Sequence, residues 1–387
     1  MNRAIIIVLD GVGAGAAPDA AAYSDPHSNT LGHVSRAVGG FNLPALAKYG
    51  LGNVTELDGL PPGVSAGAWG TMNPASAGKD STTGHWEIAG VHLEKPFPTY
   101  PNGFPREVID EFSRSTGRGV LGNVVASGTA ILDELGEQHM KSGDWIVYTS
   151  ADSVFQIAAH ENVVPLRELY SACEAARKML IPPNDVSRVI ARPFKGEPGS
   201  FTRTGNRRDY SIEPPSETLL DALSEAGVAT HGVGKVDDLF AGRSIEAQHT
   251  TSNAEGIDLI RAWLTSTESG LLFANLVDFD QLYGHRNDAA GFYNSLREFD
   301  FALPSLTAAL REDDLLFITA DHGNDPTTIS TDHARESVPL LGIGPRVQPV
   351  NLGARSTFSD LGATVGEWLG VSYRGKGNSF LRELVAR

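Results

Sequence analysis

The 387-residue chain is long enough for two or three domains, and 41% hydrophobic against 20% charged residues is a balance that supports a sizeable core. Its 31 Lys and Arg against 47 Asp and Glu give −16 at neutral pH, which argues against nucleic acid or an anionic membrane surface as a partner. The single cysteine, Cys173, excludes an intramolecular disulfide and a Cys-based zinc cluster.

The first apolar run, residues 5–9, is interrupted by Asp10. It is too short for a signal-peptide core or a membrane span, so a soluble, cytoplasmic protein is expected. Residues 4–9 read as a buried strand. Punctuated stretches from Pro96 to Pro105 and from Pro193 to Pro215 read as linkers. They predict a discontinuous larger domain, residues 1–99 and 214–387, with a smaller domain, 100–213, inserted into it. Within the insert, residues 145–149 and 187–191 read as strands. Leu219, Leu220, Leu223 and Ala226 fall at helical spacing, with Ser216 as the expected N-cap and Gly227 as the stop. A strand at 271–277 precedes a helix at 289–310, which Pro304 is expected to kink or end. Strands at 315–319 and 338–343 follow. Short β-branched runs alternating with helical patterns make this an α/β protein.

Three of the strands end in acidic or histidine-rich loops. The first loop begins Asp10-Gly11-Val12-Gly13. The second is Asp278-Phe279-Asp280, with Gly284-His285 beyond it. The third is Asp321-His322-Gly323-Asn324-Asp325, followed by Asp332-His333. Ligands of open α/β sheets sit outside the carboxyl ends of the strands, so these tips are expected to converge. Carboxylates and imidazoles without thiolates suit Mn, Zn or Fe, and the set is large enough for two ions. Taken singly, each residue also has an ordinary reading: Asp10 as a turn former or helix cap, His333 as a surface or core histidine.

Residues 78–87 hold three consecutive hydroxyls, Ser81, Thr82 and Thr83, between Gly78 and Gly84. Hydroxyls at a helix start bind an anion, supply a nucleophile or simply cap the helix. The stretch lacks P-loop spacing, and residues 11–15 lack the third glycine of a dinucleotide fold. Residues 185–210 carry six basic side chains against three acidic ones, a window of +3 in a chain that is −19 elsewhere. Arginine forks match phosphate oxygens, and a solvated basic loop is the plainer alternative.

Together these segments resemble the bacterial phosphopentomutase family of the alkaline phosphatase superfamily. The likeness includes residues 147–153, 188–194 and 196–204 and runs in order along nearly the whole chain. It implies an alkaline-phosphatase-like core with a central, mostly parallel sheet flanked by helices, and a smaller inserted α/β cap. By resemblance, two Mn²⁺ ions are held, one by Asp10, Asp321 and His322 and the other by Asp280, His285 and His333. Ser81 matches the phosphoryl-carrying residue that bridges the ions. The family pattern has Thr there, so the sequence departs from it, with Thr82 as the alternative. Ser150, Asp152, Arg188 and Arg203 of the insert, and Lys235 of the core, match sugar-phosphate contacts.

The implied activity interconverts ribose 1-phosphate, or deoxyribose 1-phosphate, with the 5-phosphate through a sugar 1,5-bisphosphate. A sugar bisphosphate (glucose 1,6-bisphosphate or ribose 1,5-bisphosphate) would prime the enzyme. The expected partner is a small phosphorylated pentose. A metal-dependent phosphatase or phosphodiesterase with the same core is the nearest competing reading, and a metal-storage protein is a more distant one.

Overall fold

Seven consecutive residues, Arg3–Leu9, form a strand in which every side chain is buried. Such a run suits an inner parallel strand covered on both faces. In the computed structural model, which describes residues 2–150, 152–372 and 374–385, this strand lies between Gly270–Leu276 and Asp314–Thr319, parallel to both. Arg3, at its start, is buried against Asp314, with Nε donating to Oδ1 at 2.8 Å. The pairing offsets part of the cost of burying two charges.

The chain divides into two units, residues 1–96 with 214–387, and residues 97–213. The larger contains an eight-stranded sheet in the order Glu246–Gln248, Thr230–Val233, Gly270–Leu276, Arg3–Leu9, Asp314–Thr319, Val338–Ile343, Ala68–Met72, Asn351–Arg355. Val338–Ile343 is antiparallel to both neighbours, and the other adjacent pairs are parallel. The α/β class and mostly parallel sheet expected from the sequence are therefore present. Because the three inner strands run in one direction, Leu9 pairs with Leu276 and Val8 with Thr319. Asp10, Asp280 and Asp321 consequently all leave from one edge.

The structure corrects one local expectation and narrows another. The helix after the second linker is Leu219–Glu225, and its N-cap is Thr218, not Ser216. Thr218 and Asp221 form a reciprocal capping box, which satisfies two backbone donors where a lone serine would satisfy one. Pro304 does not end its helix, which runs from Ala289 to Ala308. Phe292, Leu296, Phe299, Leu303 and Leu306 form a buried stripe at helical spacing. At ~1.5–3 kcal/mol per buried large side chain, that stripe outweighs the ~3 kcal/mol of an interior proline.

The smaller unit is a six-stranded mixed sheet built from Val120–Val125, Trp145–Thr149, Val154–His160, Arg188–Lys195, Thr202–Arg203 and Arg208–Ser211. Val189 and Ala191 join Phe112 and Cys173 in one core cluster, whereas Phe194 joins Ile131, Leu132 and Tyr148 in another. The alternation along one strand thus feeds the two faces of the sheet.

Candidate active site

Helix Ser81–Ile88 begins at Asp80, whose carboxylate accepts from Thr83 N at 3.1 Å and from Thr83 Oγ1 at 2.6 Å. This cap places Ser81 in the first helical position. Its hydroxyl there lies 3.1 Å from His322 Nε2 and 3.5 Å from Asp10 Oδ1. Close approach of the helix to the third strand tip requires Gly84: a Cβ at that position would come within 2.2 Å of the Asp321 carbonyl oxygen. Thr82 is buried within the same helix, while Ser81 is only partly buried.

Asp10 ends the first strand, and Gly11 turns the chain immediately after it at φ +75°. Asn275 Nδ2 donates to Asp10 Oδ2 at 2.9 Å, leaving Oδ1 at 3.3 Å from His322 Nε2. Asp321 Oδ1 accepts from Gly11 N at 3.1 Å. Its Oδ2 lies 3.1 Å from His85 Nδ1, but that nitrogen's proton is directed at the Ser81 carbonyl, 2.9 Å away. Asp321 Oδ2 is therefore buried without a hydrogen bond, as is Asn324 Oδ1. Orphaned buried acceptors beside carboxylates and imidazoles suit a cation.

The second strand tip continues as one turn of π-helix, Phe279–Tyr283, and a 3₁₀ turn, Gly284–Arg286. Wide turns of this kind recur at functional sites. Here Asp280 Oδ2 meets His285 Nε2 at 3.0 Å, and Asp280 Oδ1 lies 3.4 Å from His333 Nε2. Asn324 Nδ2 donates to Asp280 Oδ1 at 2.7 Å. The Thr331 carbonyl, 2.6 Å from His285 Nδ1, holds that proton and leaves Nε2 turned to Asp280.

Two ligand-like groups result, Asp10 with Asp321 and His322, and Asp280 with His322 and His333, each with donor atoms within 4.8 Å of one another. His285 adjoins the second group through Asp280. Electrostatics bind these residues into one system. Burial and the Asp321 carboxylate push Asp10 up. Burial also opposes ionisation of Asp280, but His333 and His285 hold it well below the usual carboxylate range. Against burial, Asp321 and Asp10 raise the His322 imidazolium well above the usual histidine range.

Four of the remaining candidate residues, Ser150, Asp152, Arg188 and Arg203, belong to the smaller unit. Ser150 Oγ accepts from Asp152 N at 3.3 Å, and Val154 pairs with Arg188 across the sheet. Arg188 Nη1 reaches Asp209 Oδ2 at 3.5 Å, and Arg207 grips the same carboxylate with two contacts of 2.6 Å. Asp209, one of the three acidic residues of that window, thus holds two of its six basic ones. Arg203 pairs with Phe194, at the other end of the strand from Arg188. A Cβ on Gly128 would meet Arg203 Nη1 at 2.9 Å and the Tyr148 hydroxyl at 3.0 Å, so these two groups flank that glycine. Lys235, in the larger unit, donates to Gln281 Oε1 at 2.5 Å.

Sequence reasoning gave no role to Asn275 or Asn324, each of which orders a carboxylate, or to His85, which holds the Ser81 carbonyl. Asn275 carried a signal, as the one polar residue in the otherwise apolar run 271–277.

The chain matches the metalloenzyme superfamily over residues 2–373. The phosphopentomutase of Dictyoglomus turgidum is 57% identical over 388 residues, covering 99% of this chain and 98% of that protein. The phosphopentomutase of Acetivibrio thermocellus is 54% identical, and the match covers both chains completely. Among solved structures, the phosphoglycerate mutase of Leishmania mexicana superposes with a TM-score of 0.52 at 11% identity, covering 98% of this chain and 97% of that one. This likeness concerns the fold alone. Full-length identity above one half to several phosphopentomutases carries the assignment: the chain belongs to the phosphopentomutase family of phosphotransferring isomerases, within the metalloenzyme superfamily.

Proposed function

We propose that the chain interconverts ribose 1-phosphate, and deoxyribose 1-phosphate, with the corresponding 5-phosphate through phosphorylated Ser81 and a sugar 1,5-bisphosphate. The observation that carries this reading is the Ser81 hydroxyl at a helix start, 3.1 Å from His322 Nε2 and 3.5 Å from Asp10 Oδ1. Asp10, Asp321 and His322 would hold one divalent cation, and Asp280, His285 and His333 a second, with Mn²⁺ the ion that the family resemblance suggests. When bound, the ions lower the hydroxyl pKa and neutralise charge on the transferring phosphoryl oxygens. Two such ions and the three carboxylates sum to +1, and an ionised Ser81 brings the site to neutrality.

The cycle begins with Ser81 phosphorylated by a sugar bisphosphate. A free hydroxyl of the pentose monophosphate gives up its proton as it attacks the phosphorus, the bond to Ser81 Oγ breaks with its electron pair left on Oγ, and the 1,5-bisphosphate forms. Ser81 Oγ then attacks the other phosphate, the second sugar oxygen leaves and takes up a proton, and the isomer is released. The first-turn amides of helix Ser81–Ile88 favour negative charge on Oγ. Second partners hold the carboxylates still, so little reorganisation accompanies charge movement. Ser150, Asp152, Arg188 and Arg203 are assigned to sugar-phosphate recognition, together with Lys235. A cytoplasmic setting accords with this chemistry. Among the described residues, no helix is long and apolar enough to cross a membrane.

A coupled assay for conversion of ribose 1-phosphate to ribose 5-phosphate, with and without Mn²⁺, tests the reading. Labelled phosphate should exchange between protein and sugar pools. Steady release of inorganic phosphate faster than isomerisation would make the chain a phosphatase instead.

A further inference from the structure

The loop between strand Ala68–Met72 and helix Ser81–Ile88 delivers Ser81. Residues 74–78 form neither helix nor strand, and Pro74 has no N–H to donate. Two buried charges, Glu87 of the helix that follows and Arg335 from far along the chain, satisfy this backbone instead. Glu87 accepts from the amides of Ala75 at 2.8 Å and Ser76 at 2.7 Å. Arg335 serves the carbonyls: Nη1 donates to Ser76 O and Gly78 O, both at 2.6 Å, and Nη2 donates to Pro74 O at 3.0 Å.

All five donors of Arg335 are used, because Nε and the second proton of Nη2 form a fork onto Asp19 at 3.0 and 2.9 Å. Its guanidinium also lies 4.5 Å from the centre of the Tyr23 ring. The side chain is 2% exposed, so it is not a surface charge that happens to touch a loop. The Arg335 amide donates to Asp25 Oδ2 at 2.9 Å, and the same oxygen receives Lys79 Nζ at 3.0 Å. Lys79 is two residues before Ser81, and Arg335 is two residues after His333.

We propose that Arg335 is a positioning residue for the phosphoryl-transfer step, setting where Ser81 Oγ stands relative to the His322 and His333 cluster. This rests on the reading of Ser81 given above. The side chain touches no reacting atom. It acts through the backbone carbonyls of residues 74, 76 and 78 and ties the nucleophile's loop to the segment that carries His333. Glu87 holds the same loop by its amides, so the two charges work as opposed jaws. A lysine at 335 retains the charge but cannot reach three carbonyls and a carboxylate at once.

The test compares Arg335→Lys and Arg335→Ala with the parent full-length chain, loaded with Mn²⁺. In Arg335→Lys, kcat should fall about 30- to 300-fold with KM within about threefold, the pattern of a misplaced nucleophile rather than lost binding. Guanidinium at ~20 mM should restore about tenfold of the rate lost in Arg335→Ala, a rescue that a general folding defect would not show. Amide exchange should quicken at Ala75 to Lys79 while the strand Arg3–Leu9 stays protected. Turnover of Arg335→Lys within about threefold of the parent would overturn the proposal. So would a loss that follows the folded fraction by circular dichroism without rescue, or unchanged exchange at the loop. A parent chain without mutase turnover would count against the reading of Ser81 instead, and the exchange measurement judges Arg335 without any assay.

Discussion

In the larger unit, Asp10, Asp280 and Asp321 are buried and each is held by a further partner, Asn275, Asn324 and the Gly11 amide respectively. In the smaller unit, Arg203 is exposed, and Arg188 meets Asp209 at 3.5 Å. The contrast is one of rigidity. Groups proposed to stabilise a developing charge are preorganised, since any movement during phosphoryl transfer raises the barrier. Of the groups proposed to recognise a phosphate, Arg203 is open to solvent and Arg188 has only a long contact with Asp209. Damage to the first kind should appear in kcat, and damage to the second in KM.

The largest effect tests the chemical half of this comparison. Ser81→Ala should lower mutase turnover by at least ~10³-fold and abolish incorporation of labelled phosphate, whereas Ser81→Thr should retain activity within about tenfold. Near-parental turnover in Ser81→Ala would remove the nucleophile assignment. Chelation comes next. Dialysis against a chelator should reduce the rate by at least ~10²-fold, and Mn²⁺ should restore it, as measured in the coupled assay. A rate indifferent to chelation would detach the Asp and His cluster from catalysis.

The recognition half is probed by Arg203→Ala, which should raise KM by about 10- to 100-fold, the worth of one charge-assisted hydrogen bond, and leave kcat within about threefold. An equal fall in kcat would place Arg203 with the preorganised groups and blur the distinction. Arg335→Lys, outside both sets of contacts, is the case that should nevertheless behave like the chemical half.

The smallest effect concerns the smaller unit's stability in acid. His139 is buried, with Nδ1 on the Asp144 carbonyl at 2.6 Å and Nε2 accepting from His160 N at 2.8 Å. Both ring nitrogens are used only when the ring is neutral. Burial, opposed by the Asp144 carbonyl, pushes its pKa below the usual histidine value. The unfolded chain therefore binds more protons than the native one below pH ~6.5, and stability falls with falling pH by up to about 1.4 kcal/mol per unit until the native pKa is reached. In strand Val154–His160 of the full chain, amide protection, taken relative to the unfolded chain at the same pH, should fall below pH ~6.5 and fall less in His139→Gln. Protection there that does not change with pH would show that the ring accepts a proton without loss.

Much of this architecture was legible because it is local. The run Ile5 to Leu9 followed by Asp10, the pair Asp321-His322 at the end of 314–319, and Asp280 with His285 five residues on all advertise strand tips carrying polar groups. The helix start at Ser81 was visible in its hydroxyl run, and the cap by Asp80 was not read. What escaped was set by contacts distant in the chain. Ser216 is as good a cap as Thr218 on paper, and the reciprocal bond to Asp221 decides between them. Pro304 reads as a breaker until the buried stripe around it is seen.

Composition, periodicity and motif order, taken by themselves, determined the α/β class, the phosphopentomutase resemblance and the residue types of the site. Only the tertiary structure decided the sheet order that sets Asp10 beside Asp280 and Asp321. It also decided the partners that hold each carboxylate and the use of Arg335 to satisfy the loop before Ser81. The physical reason is that a buried polar group must find a partner wherever the fold provides one. Gly11 and Asp321, hydrogen-bonded although 310 positions apart, are joined by strand adjacency rather than by anything written near either residue.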